Sequence, residues 1–137
     1  MDIVILVGRI LFGAVFFGGA LGHFTNTAAM SAYTESMGLR PGRLFVIASG
    51  LWQLAGAALV VLGVWADLGA LMLAVFVVSA AVTMHRFWSA GDAETKMTEQ
   101  IHFNKDISLA GGALILLGFV VKVGDSLGYT LTGPLFG

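Results

Sequence analysis

Residues 68–88 read LGALMLAVFVVSAAVTMHRFW. From Leu68 to Met84 the only polar side chains are the hydroxyls of Ser79 and Thr83; His85, Arg86 and Trp88 then follow almost side by side. A helix needs roughly 20 apolar residues to cross the hydrocarbon core of a bilayer. The run from 68 to 88 meets that length, and arginine and tryptophan are the residues expected where a helix leaves hydrocarbon for water. It reads as a transmembrane span with a polar, aromatic exit.

Working outward, three more stretches share this character. Residues 3–22 are interrupted only by Arg9, and residues 44–64 contain one strongly polar side chain, Gln53. The last apolar run, Ile107 to Val121, reaches spanning length over 105–122 when Lys105 and Lys122 lay their alkyl stems through the interface. Its apolar residues surround the helix instead of forming one stripe, which favours a span over a surface helix. The first run starts with Asp2 and no basic residue, so it is expected to be a retained span, not a cleaved leader.

The composition agrees. The chain has 137 residues, 58% hydrophobic and 11% charged, with a mean hydropathy of +0.92. A soluble domain of this size has too little interior to hide that much apolar surface, whereas lipid removes the need to hide it. The expected fold class is all-α: an integral membrane four-transmembrane-helix bundle forming one domain over 1–137. A net charge of -1 offers no general attraction to nucleic acid. The absence of cysteine excludes disulfides, cysteine-ligated iron–sulfur clusters and thiol redox cycling within this chain.

Between spans one and two, HFTNTAAMSAYTESMGLRPGR carries Ala29, Tyr33 and Met37 at four-residue spacing, which predicts a short interfacial helix. Gly38 is placed to end it, and Pro41 to sit in the first turn of span two. Between spans three and four, Ala93, Met97 and Ile101 recur at the same interval among charges and predict an amphipathic extension leading into helix four. Arg40, Arg43, Arg86, Lys96 and Lys105 fall on the side of these two connections, against Lys122 and Arg9 on the other. The positive-inside rule then places loops 23–43 and 89–104 in the cytoplasm and both termini outside.

Polar groups inside spans call for a cause. Arg9 lies about 10 Å into span one, where it is expected to snorkel to the headgroups; the alternatives are an anchor for an anionic group or a pair with Asp67 or Asp125. Gln53 is expected to hydrogen-bond a neighbouring helix, with a ligand contact as the alternative. Gly18 and Gly22 form a GxxxG pair whose default use is packing inside the bundle, with a homo-oligomer face as the other use. His23, His85 and His102 are all expected at the cytoplasmic face, among Glu35, Asp92, Glu94, Glu99, Gln100 and Asp106. Histidines beside carboxylates can serve a proton, a metal or a quinone headgroup. No pair of these histidines has the i, i+4 spacing of helical metal ligands, so no metal site is expected. The candidate ligand or quinone cluster is His85, Arg86, Trp88, Gln100 and His102.

The order of these stretches resembles the DoxX family of small bacterial four-helix membrane proteins. It runs from the Arg9 helix ending in GGALGHF, through GLWQLAGAALVVLG, to TMHRFW and then QIHFNKDISLAGGALILLG. The last two stretches are the specific ones. The resemblance implies a bacterial cytoplasmic-membrane protein, commonly an accessory subunit of a membrane oxidoreductase. Named relatives include a subunit associated with thiosulfate:quinone oxidoreduction, and actinobacterial relatives are linked to oxidative-stress complexes with soluble partners. Two departures stand out. Members often carry Glu where this chain has Gln53, and a basic residue where it has Trp65, Ala66 and Asp67.

The leading expectation is a membrane subunit that anchors or stabilises an oxidoreductase or respiratory assembly. It has no evident catalytic residues or resident cofactor, and its partners are lipid and other membrane subunits. The first alternative is a quinone-binding or electron-transfer subunit of such an oxidoreductase. The second is a small-solute transporter or lipid-binding protein with Arg9 and Gln53 lining its cavity.

Overall fold

The computed structural model describes every residue, Met1–Gly137, and is entirely helical and irregular, with no strand. Helix α1 spans Asp2–Thr25, α2 Thr27–Ser36, α3 Gly42–Leu62, α4 Ala66–Met84 and α5 Ala93–Val123, with short 3-10 turns at Phe87–Ser89 and Gly124–Ser126. Helices α1, α3, α4 and α5 are each long and apolar enough to cross a membrane. Only 17–33% of the most apolar stretch of each is buried inside the protein. Most apolar side chains, Val4, Leu11, Leu51, Val75 and Ile115 among them, therefore face outward, as lipid requires. This is a multi-pass membrane protein built as a four-helix bundle.

Successive spans run antiparallel, so the bundle has a loop end, carrying the two longer connections, and a terminal end, carrying both chain ends. The close helix contacts run α1 to α3, α3 to α4 and α4 to α5. Small residues permit this approach: a Cβ added at Gly69 would come within 2.8 Å of the Gly56 carbonyl oxygen. Phe16, Val60, Leu73 and Val77 fill the core with Ala57, Ala70 and Ala110.

Local chemistry sets the helix ends. Gly63 closes α3 at φ +67°, a conformation that costs a side chain, and a Cβ there would meet Arg9 Nη2 at 2.5 Å. Asp92 begins α5 by accepting from the Thr95 backbone N–H at 2.9 Å. The amphipathic extension and the fourth span form one 31-residue helix, about 46 Å long. It outreaches a hydrocarbon core of about 30 Å, so its first turns stand clear at the loop end. Helix α4 stops at Met84, four residues short of the expected span, because His85 leaves helical geometry at φ -106°, ψ 52°.

The short helix expected between spans one and two is α2. It packs against the first turns of α3, where Glu35 accepts from the Gly42 N–H at 2.9 Å. It also reaches across the bundle, since Tyr33 donates to the Met84 carbonyl at 3.0 Å. Arg86 donates to the Met37 carbonyl just beyond α2 at 3.0 Å. Helix α2 is thus a roof over the loop end, tied down on both sides.

At the terminal end, Arg9 corrects the expectation that it snorkels. Its side chain is 1% exposed and donates to the carbonyls of Val60, Val61 and Tyr129 at 2.8–2.9 Å. It has no acidic partner. Asp67, fully buried, accepts instead from the backbone N–H groups of Leu135 and Phe136. The Gly63 carbonyl accepts from Leu131 and Thr132, so the tail is stitched over this end of the bundle.

Candidate functional site

Beneath the α2 roof lies a cavity of about 500 Å³. Its walls are chiefly apolar, with Phe16 from α1, Met30 from α2, Phe45 and Val46 from α3, and Phe76, Val77 and Met84 from α4. Polar groups enter it at two depths. His85, Asp106 and Lys105 stand near the loop end; His23 and Gln53 lie further down the bundle. The size falls in the usual range for small-molecule sites, which pair apolar walls with a few placed polar groups.

The upper group centres on His85. Its Nδ1 lies 2.8 Å from Glu99 Oε2 and its Nε2 3.6 Å from Asp106 Oδ2. The ring stacks on His102, with centroids 5.0 Å apart. Asp106 is only 7% exposed and has Lys105 Nζ at 3.4 Å. The Tyr33 hydroxyl, whose one proton is directed mainly to the Met84 carbonyl at 3.0 Å, also lies 3.5 Å from Glu99 Oε1. Burial, and then the Glu99 carboxylate, push the Tyr33 phenol above its ordinary value of 10, so it remains a donor throughout the neutral range. A histidine held between two carboxylates, one towards the surface and one in the cavity wall, can hold or pass a proton at that wall.

The expected cluster is partly assembled. His85 and His102 meet, whereas Gln100 is exposed and joins neither. Trp88 is 56% exposed and packs edge-on against Phe87 and Phe103. Arg86 donates through Nη2 to the Met37 carbonyl, while its buried Nε has no hydrogen-bond partner. The partners that replace Gln100, namely Glu99 and Asp106, were legible in principle: residues 99, 102 and 106 share one face of a helix at spacings of three and four. That face lies on the amphipathic extension expected from Ala93 and continues into the span.

His23 corrects a second expectation, that all three histidines share the loop-end surface. It sits against α3 beside Gln53, because α1 ends alongside the middle of α3 and α2 continues the path above it. His23 Nδ1 lies 2.8 Å from the Gly19 carbonyl, and Gln53 Nε2 is 3.4 Å from each ring nitrogen. Gly19 makes the arrangement possible, since a Cβ there would come within 2.5 Å of Gln53 Oε1. No group of three or more His, Cys, Asp or Glu side chains is arranged to hold a metal ion.

A second, shallower groove between α1 and α5 is bordered by Ile5, Phe12, Leu116 and Phe119. Arg9 borders it too, but its guanidinium is spent on three carbonyls.

Among known proteins, no curated protein and no solved structure matches the chain. The family model for DoxX matches residues 4–86, more than half of it, from the first turn of α1 through the exit of α4. The chain belongs to the DoxX family.

Proposed function

We propose that this protein is a lipophile-binding membrane subunit of an oxidoreductase assembly, and that its cavity takes a quinone-type ring. The observation that carries this reading is the cavity itself, apolar over most of its wall and hydrogen-bonding at two depths. The residues fit such a group. Phe16, Phe76 and Met84 line the space where a flat ring would lie, and His85 and the Gln53 amide would be the side chains available to hydrogen-bond its oxygens. A quinone supplies two-electron redox chemistry when bound; this chain supplies the binding walls, the donors and, through His85 between Glu99 and Asp106, a place to hold a proton.

The assembly context is supported by family membership and by the charged first turns of α5, which project beyond the span. We place the loop end in the cytoplasm, on the basis of Arg40, Arg43, Arg86, Lys96 and Lys105. The test is isolation of tagged protein in a mild detergent, followed by lipid extraction and identification of co-isolated chains. Near-stoichiometric quinone that falls at least tenfold in His85→Leu, together with oxidoreductase subunits, is the expected result. A quinone-free preparation that also fails to bind added short-chain quinone would contradict the reading.

A further inference from the structure

His23 and Gln53 form a matched acceptor and donor at membrane depth, and their chemistry is more specific than that of the upper group. A carbonyl oxygen only accepts, so the 2.8 Å contact between His23 Nδ1 and the Gly19 carbonyl puts the ring proton on Nδ1. In the neutral imidazole Nε2 is then a bare acceptor. The nearest donor within the protein, Gln53 Nε2, is 3.4 Å away and equally far from both ring nitrogens. That is long and poorly directed for a hydrogen bond, so neither group is well satisfied by the other. Both belong to the cavity wall, and Gln53 is 3% exposed. Gly19 leaves room for Gln53 Oε1 against α1, which directs the amide nitrogen to the histidine side.

A bare acceptor beside a free donor complements a hydroxyl, which gives one hydrogen bond and takes one. A carbonyl oxygen can use only the donor. Neither protein group carries a fixed charge, which suits an uncharged ligand at this depth. We infer that the His23–Gln53 pair is a hydroxyl-recognition site, and that the cavity prefers the hydroquinone form of a quinone-type ligand to the oxidised form. This rests on the proposed binding of such rings, and adds which redox form is held and which residues choose it.

The test uses the full chain in lipid nanodiscs. A decyl-substituted benzoquinone and its hydroquinone, the latter kept reduced without oxygen, are titrated separately by equilibrium dialysis. One additional hydrogen bond in a desolvated site should make hydroquinone binding tighter by about tenfold. By linkage the bound couple's midpoint potential should then rise by about 30 mV per tenfold preference. His23→Phe removes the acceptor and leaves the donor, so the preference should fall towards one while oxidised-form affinity is kept. Gln53→Leu should weaken both forms. Equal binding of the two forms by the wild-type protein, or tighter binding of the oxidised form, overturns the inference and leaves quinone binding intact. A preference unchanged in His23→Phe also overturns it. Binding of neither form removes the underlying reading and this inference with it. The wild-type ratio decides without any variant, so a misfolded His23→Phe would not rescue the idea.

Discussion

Arg9 shows how a single charge can serve structure inside a membrane. Three carbonyls at 2.8–2.9 Å spread its charge and lock α1 to the end of α3 and to the tail. Arg9→Met should destabilise the protein by about 3 kcal/mol, since it strands acceptors in a dry site. Arg9→Lys should recover little of that, because an ammonium cannot match the guanidinium fork. Thermal unfolding in detergent, followed by circular dichroism, checks both, and a stable Arg9→Met would count against the tie. Gly63→Ala should lose at least about 1–2 kcal/mol from left-handed strain alone, with the clash against Arg9 added. The sequence shows that Arg9 needs a partner, but the partners are backbone oxygens brought from residues 60, 61 and 129. No side-chain pattern announces those. Gln53 is similar: its amide calls for a neighbour, yet that neighbour is a histidine whose depth depends on where α1 stops.

At the scale of elements, α2 and α5 shape the site. The roof is held by Tyr33 on Met84 and by Arg86 on Met37. Tyr33→Phe should keep the fold but loosen the roof, raising both association and dissociation rates of a cavity ligand several-fold; stopped-flow binding checks this, and unchanged rates would show that the roof does not gate access. The raised phenol also fixes the sign of an alkaline effect. Its contribution is complete below pH 10 and is lost as pH rises from 10 through the higher folded value. Asp92 works in the opposite range. Its hydrogen bonds from Thr95 lower its pKa below 3.8, so the cap persists above that value and is lost as pH falls through the lower folded one. Amide exchange in the first turn of α5 should therefore be faster in Asp92→Ala at neutral pH than in the wild type. Equal exchange would mean that the cap contributes nothing. The spans were legible from apolar runs, because lipid imposes length and composition directly. The amphipathic extension from Ala93 was legible too, from Ala93, Met97 and Ile101, and it runs unbroken into the fourth span; which of its polar residues meet His85 was not, because that depends on how α4 and α5 pack.

On the scale of the whole molecule, the two ends are built differently. The loop end is roofed over a cavity; the terminal end is closed by a tail tied to Asp67, Gly63 and Arg9. That asymmetry suits a protein that holds a lipophile better than one that passes a solute through, and the cavity takes none of its lining from the tail. Asp67→Leu removes the acceptor of two backbone N–H groups, so limited proteolysis should release residues beyond 128 faster while quinone binding is retained. Loss of binding in that variant would show that the two ends are coupled. The central claim is that a quinone-type ring sits beneath α2, and the most direct measurement is photolabelling in native membranes with an azido-quinone, followed by peptide mapping. Label is expected on cavity-lining residues such as Phe45, Phe76 and Met84, and should be displaced by unlabelled quinone. Label confined to lipid-facing positions such as Leu114 and Ile115, or unaffected by competitor, would contradict it.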